Sequence, residues 1–136
     1  MKLQLLIPQF NETDEVMRPM LESIATQQGV DLNDIEVIIG NDGSEIKLSE
    51  DLLGGFSFPI RYVFFDHTGL PGTRRKLFDL TTADYVMFCD ADDMFLTNLA
   101  LYTILSYSAK GFDALVCDFM EEVIDDERNE MRQEIN

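Results

Sequence analysis

Basic residues are scarce in this 136-residue chain: ten lysines and arginines stand against 26 aspartates and glutamates, a formal charge of −16. Nucleic-acid binding needs clustered cations that neutralise phosphates, so the balance argues against that class of partner. Cysteine is rarer still. Cys89 and Cys117 each sit inside an apolar run, which points to buried free thiols rather than a disulfide or a metal pair. No apolar run approaches the ~20 residues of a membrane span, and the N-terminus lacks the layout of a signal peptide, so a cytoplasmic protein with no transmembrane segment is expected. Internal repeats, linkers and low-complexity stretches are missing too.

What is present is a core. A hydrophobic content of 46% and ten phenylalanines fit one folded domain over residues 1–136. Nine acids and two arginines fall in residues 111–136, a net −7 of the total −16. Against that field Arg74-Arg75-Lys76 stands out, either as a solvated helix face or as a positive spot that tolerates a phosphate.

Strand and helix patterns alternate. Leu3–Ile7, Ile35–Ile39, Ile60–Phe65, Tyr85–Cys89 and Ala114–Phe119 read as five strands. Helices are expected after the first strand, with its regular part starting near Arg18 because of Pro19 and its end at Gly29. Others are expected over Ser49–Leu53, Thr73–Thr82 and Asn98–Lys110, the last closed by Gly111. The tail from Met120 reads either as a hairpin turning at Asp125–Asn129 or as an acidic helix. Nearly continuous apolar strands alternating with helices imply an α/β fold, a largely parallel sheet with helices on both faces. Right-handed crossovers then gather the strand-end loops Pro8–Glu12, Asn41–Ser44, Asp66–Gly72 and Asp90–Asp93 on one edge, where α/β sheets bind ligands.

The Asp90–Asp93 loop is the most distinctive of these. An apolar strand stops at three carboxylates in four positions, Asp90, Asp92 and Asp93. Crowded carboxylates are costly unless a cation compensates, and a hard divalent cation takes oxygen ligands.

Four motifs resemble a known family. Leu6-Ile7-Pro8-Gln9-Phe10-Asn11-Glu12 resembles the opening strand and Pro-x-Tyr-Asn-Glu loop of family 2 glycosyltransferases, with Phe10 in the Tyr position. Ile38-Ile39-Gly40-Asn41-Asp42-Gly43-Ser44 resembles their Val-Asp-Asp-Gly-Ser turn, with Asn41 for the first Asp. Gly69-Leu70-Pro71-Gly72-Thr73-Arg74 resembles Gly-x-x-x-Ala-Arg-Asn, where Arg75 departs from the Asn. Asp84–Asp93 resembles Glu-Tyr-Ile-x-Phe-Leu-Asp-x-Asp-Asp, the DxD motif.

The resemblance implies the GT-A fold, a Rossmann-like nucleotide-binding half, over residues 3 to about 119. It implies inverting, metal-dependent transfer from a nucleotide-diphosphate sugar, UDP-linked, to an acceptor (saccharide, lipid or protein) that the sequence does not name. Pro8, Phe10, Glu12, Asp42, Arg74, Asp90, Ala91 and Asp92 are the implied nucleotide-sugar contacts. Asp92 is the implied ligand of Mn2+ or Mg2+, with Asp90 beside it or at the ribose. A cation there offsets the repulsion between a diphosphate and an acidic protein.

Several residues carry a second reading. Phe10 walls the base or joins the core; Asp42 accepts from uracil N3–H or only forms the turn; Arg74 approaches the phosphates or braces Asp90 or Asp42. Asp93 contacts the sugar or caps a turn. His67 aligns with a family Asn and reads as a loop residue rather than a ligand. The inverting base is expected beyond Asn136, on an acceptor-binding half, with Asp118, Glu121 and Glu122 the nearest late acids. The alternative function is therefore a non-catalytic nucleotide-sugar-binding module. An uncovered sheet edge would favour a homo-oligomer.

Overall fold

The computed structural model describes residues 2–111, 120–125 and 130–135. The chain divides into two compact units, Met1–Leu101 and Tyr102–Asn136. Among the described residues, no helix is long and apolar enough to cross a membrane.

The first unit is built on four parallel strands, β1 (Leu3–Gln9), β2 (Ile35–Asp42), β3 (Ile60–Phe65) and β4 (Tyr85–Phe88), in the order β3-β2-β1-β4. The central strand β1 has neighbours on both sides, and all seven of its residues are buried. This is why it reads as a nearly continuous apolar run, broken only by the buried Gln4 before Pro8 and Gln9, rather than an alternation. Leu3 pairs with both Ile35 and Tyr85, which aligns the three strands at their starts.

The strand order fixes the layers. Chain progress from β1 through β2 to β3 runs one way across the sheet, and the return to β4 reverses it. Right-handed crossovers therefore place helix α1 (Asp14–Ala25) and helix α3 (Leu70–Asp79) on opposite faces. On the α3 face, Leu77 packs with Leu6 and Ile38, flanked by Val63, Phe65, Leu80 and Val86. α1 carries the buried stripe Met17, Met20, Leu21 and Ile24. Gly40 keeps α3 close: a Cβ there would lie 2.9 Å from the Phe65 ring and 3.0 Å from Leu77.

Several boundaries differ from expectation. α1 begins at Asp14, not near Arg18, because Thr13 caps it by accepting from Val16 N–H and Asp14 and Glu15 favour the first turn. Pro19 lies exposed inside the helix and leaves only the exposed Glu15 without its usual acceptor role. The helix stops at Ala25, before Gly29. α3 starts at Leu70 rather than Thr73, with Pro71 in the first turn, where a missing N–H costs nothing, and it ends at Asp79. The helix expected over Ser49–Leu53 is α2 (Glu50–Leu53), capped by Ser49.

Helix α4 (Ala100–Ser108) is shorter than the expected Asn98–Lys110. The strand expected at Ala114–Phe119, and Cys117 within it, lie outside the described residues; Cys89 is a buried free thiol. In the second unit, β5 (Met120–Asp125) and β6 (Glu130–Ile135) pair antiparallel, the hairpin alternative for the tail.

Candidate functional site

A cleft of about 580 Å³ opens at the carboxyl ends of β1, β2 and β4. It lies where the strand order reverses, between β1 and β4, which is where an open parallel sheet leaves a crevice. Each of the four strand-end loops contributes to it. Pro8, Phe10 and Glu12 come from the first, Asp42 from the second, His67 and Gly69 from the third, and Asp90, Ala91 and Asp92 from the fourth. Seven of the expected contacts, Pro8, Phe10, Glu12, Asp42, Asp90, Ala91 and Asp92, thus line one cleft. Arg74 does not line it but reaches its acidic rim.

Phe10 is 44% exposed, so it is not a core residue. Its ring lies 4.7 Å from that of His67, tilted by 44°. The Phe10 N–H is held by the Glu12 carboxylate at 3.2 Å. Behind this loop, buried Gln9 donates to the Glu12 and Ile46 carbonyls and accepts from the Tyr62 hydroxyl at 2.7 Å. Asn41 accepts from Ser44 N–H at 2.7 Å and donates to Tyr62 Oη at 3.0 Å. An Asp at position 41 could not make the second bond, a physical reason for this departure from the family turn.

Asp42 is almost wholly buried, and its carboxylate is committed inside the protein. Oδ1 accepts from Thr68 N–H at 2.8 Å; Oδ2 accepts from Gly69 N–H at 3.0 Å and lies 3.0 Å from His67 Nδ1. Burial pushes the Asp42 carboxyl up, but the bonds from Thr68, the Thr73 hydroxyl and Gly69, with the His67 ring, outweigh it and hold it below its usual range. Asp42 therefore ties the third loop to the end of β2 and stands at the mouth of α3.

The acidic loop is exposed, and carboxylate oxygens of Asp90, Asp92 and Asp93 lie within 4.8 Å of one another. Burial, then the charges of Asp90 and Asp92, push the Asp93 carboxyl up from its ordinary value. Asp93 N–H bonds the Asp90 carbonyl at 3.1 Å, closing a turn that keeps the side chains together. An all-oxygen set under mutual repulsion fits a hard divalent cation. Cys89 below it is inert: burial, then Asp93 and Asp90, raise its thiol to about 12.

Arg74 Nη2 sits 3.3 Å from Asp90 Oδ1, while its buried Nε has no hydrogen-bond partner among the described residues. The other two basic residues turn elsewhere: Arg75 faces Asp79 on the surface, and Lys76 donates to the Asp66 carbonyl.

Sequence reasoning passed over His67, read there as a loop residue, and over Thr73 and Gly69, although all three line the cleft. It also missed what anchors the segment after the acidic loop. Ser23 Oγ accepts from Phe95 N–H at 3.0 Å, and buried Gln27 donates to the Thr97 carbonyl at 2.7 Å and accepts from Leu101 N–H at 2.9 Å. For Ser23 the available signal was a small polar residue among the buried positions of α1; Gln27, beyond the helix, gave none.

Comparison with known proteins agrees with this geometry. The family model described as glycosyl transferase family 2 matches residues 5–136. The chain belongs to that family. It is 33% identical over 113 residues to a teichoic acid poly(glycerol phosphate) polymerase of Staphylococcus epidermidis, a match over 80% of this chain and 15% of that protein. Residues 1–349 of S. aureus TarS superpose with a TM-score of 0.69 at 20% identity, covering 81% of this chain and 33% of that 1–349 chain. The same TarS region in complex with UDP-GlcNAc gives 0.66 at 19% identity, covering 81% and 32%. A Pyrobaculum calidifontis mannosyltransferase in complex with GDP-Man and Mn2+ gives 0.64 at 15% identity, covering 79% and 32%. These likenesses establish the GT-A glycosyltransferase fold. The chain spans about 15% of the curated relative and about a third of these TarS and mannosyltransferase chains.

Proposed function

We propose that the chain is the donor-binding half of an inverting glycosyltransferase and holds a uridine diphosphate sugar with Mn2+ or Mg2+. The convergence of all four strand-end loops on one cleft, with a cation-fitting carboxylate set on its rim, carries this reading. TarS in complex with UDP-GlcNAc supports uridine as the base, and the mannosyltransferase complex supports a divalent cation.

The roles follow from placement. Phe10 and Pro8 offer the apolar wall on which a base stacks, and Glu12 fixes that wall by holding the Phe10 N–H. Base stacking on an aromatic ring contributes about 1–3 kcal/mol. Asp92 is the principal carboxylate for the cation, with Asp90 beside it; Arg74 aligns Asp90 and adds a positive charge at the acidic rim. When bound, the cation would neutralise the diphosphate and act as a Lewis acid toward the departing nucleotide. Ala91, buried between the two acids, lines the cleft without a polar side chain.

One observation favours a second reading, binding without transfer. An inverting displacement needs a general base, and three of the described cleft carboxylates are otherwise engaged, Glu12 with Phe10 N–H, Asp42 with Thr68, Gly69 and His67, and Asp90 with Arg74, while Asp92 is the one proposed above for the cation. Positions 121 and 122 lie on β5 of the second unit, and Asp118 lies outside the described residues. General-base assistance contributes about 10²–10⁴-fold. Titrating UDP-GlcNAc and then following UDP release against an acceptor panel separates the readings. Tight binding with very slow release is the expected result. Brisk, acceptor-dependent turnover would place a complete catalytic apparatus in these residues.

A further inference from the structure

We propose that His67 Nε2 is the acceptor that reads the base, taking the N3–H of a uracil stacked on Phe10; the assignment rests on the uridine reading above. It starts from the other ring nitrogen. Nδ1 lies 3.0 Å from the main-chain carbonyl of Asp42 and 3.0 Å from Asp42 Oδ2. Both are acceptors, so the proton belongs on Nδ1. A neutral imidazole protonated on Nδ1 presents a bare lone pair at Nε2. Nε2 has no hydrogen-bond partner among the described residues, and the side chain is 58% exposed.

The ring is also in the right place. His67 and Phe10 line the same cleft with their rings 4.7 Å apart, so a base lying on Phe10 brings its edge to the imidazole. The backbone of His67 is seated against Gly43, where an added Cβ would fall 2.9 Å from His67 N and Cβ. This contact fixes the point from which the ring enters the cleft.

Asp42, the residue nominated by resemblance, has little left to offer. A carboxylate has about four acceptor positions. Thr68 N–H, Gly69 N–H and His67 Nδ1–H take three, and the Thr73 hydroxyl competes for the fourth while also reaching the Gly69 carbonyl. At 3% exposure the group is largely closed to a ligand. Asp42 instead sets the tautomer of His67, and His67 reads the base one bond further out.

Long-range 1H–15N NMR of the labelled full chain, with Mg2+, tests this directly. The free protein should show Nδ1 protonated and Nε2 bare, and UDP but not CDP should move the Nε2 resonance, because cytosine N3 carries no proton. In calorimetry, His67→Phe keeps a ring against Phe10 but removes both nitrogens. It should lower UDP affinity about tenfold, the upper range for one hydrogen bond, and leave CDP within twofold. A protonated Nε2 in the free protein, or equal UDP binding by wild type and folded His67→Phe, overturns the assignment and leaves the donor reading standing. If neither nucleotide binds the wild-type chain, the donor reading fails and takes this assignment with it.

Discussion

Arg74 on α3 and Asp90 after β4 meet at 3.3 Å, joining the helix that follows the third loop to the acidic rim of the cleft. Both side chains are about half exposed, 41% and 54%, so solvent screening leaves the pair little weight in stability. Its consequence is positional. The pair holds the Arg74 guanidinium against the Asp90 carboxylate, while Arg74 Nε is buried with no hydrogen-bond partner among the described residues.

Arg74→Ala should therefore separate binding from folding. UDP affinity should fall about tenfold, as for loss of a charge-assisted bond, while the unfolding free energy changes by less than about 1 kcal/mol. Arg74→Lys should recover part of the affinity, because a point charge replaces a planar fork. Calorimetry and urea denaturation give the two numbers. A large loss of stability with affinity unchanged would reduce Arg74 to a brace.

Gln27→Ala should act on the acidic loop from behind. It strands the Leu101 N–H and the Thr97 carbonyl, and a buried polar group left unpaired costs about 1–3 kcal/mol. Stability should drop, and Mn2+ affinity should drop with it, because the segment leading out of Asp90–Asp93 loses its anchor just past the end of α1. Stability loss with wild-type Mn2+ affinity would show that the loop holds its shape unaided.

Gly43→Ala should be costly for two reasons. The residue has φ +70, in the left-handed region, and the new Cβ would meet the His67 backbone at 2.9 Å. The conformational part alone is about 1–2 kcal/mol. Thermal unfolding should show the loss, and UDP binding should weaken as His67 is displaced.

Stability should also decline in acid. Asp42 and Asp14 both sit below their ordinary value of 3.8 in the folded state, Asp42 through bonds that outweigh its burial and Asp14 chiefly through Ser49. A carboxyl lowered by folding contributes stability that is fully present above the unfolded value and is lost as pH falls through the folded one. Denaturation midpoints should fall below about pH 4, and less steeply in Asp42→Ala, where one of the two groups is gone.

The four-strand frame was legible because buried parallel strands announce themselves as apolar runs: β1 begins at Leu3, where its run does, and all seven of its residues are buried. The cleft was legible for a related reason, since polar clusters at successive strand ends can only gather on one edge. Helix starts were harder. Pro19 and Pro71 read as boundaries, yet in α1 the Thr13 cap prevailed over Pro19, and Pro71 falls where its missing N–H is harmless. Hidden as well were side chains that act through a partner. His67 looked like an ordinary loop residue until Asp42, 25 residues earlier, was found to hold its Nδ1. Gln27 showed no periodic signal that would mark it as the clamp for Thr97 and Leu101, more than 69 residues downstream.

The most direct test is calorimetric titration of UDP into the wild-type chain and Asp92→Asn, each with and without Mn2+. Wild type should bind only when Mn2+ is present, and Asp92→Asn should lose that dependence while keeping its fold by circular dichroism. Equal binding by both proteins, or binding indifferent to Mn2+, would contradict the metal-assisted donor site.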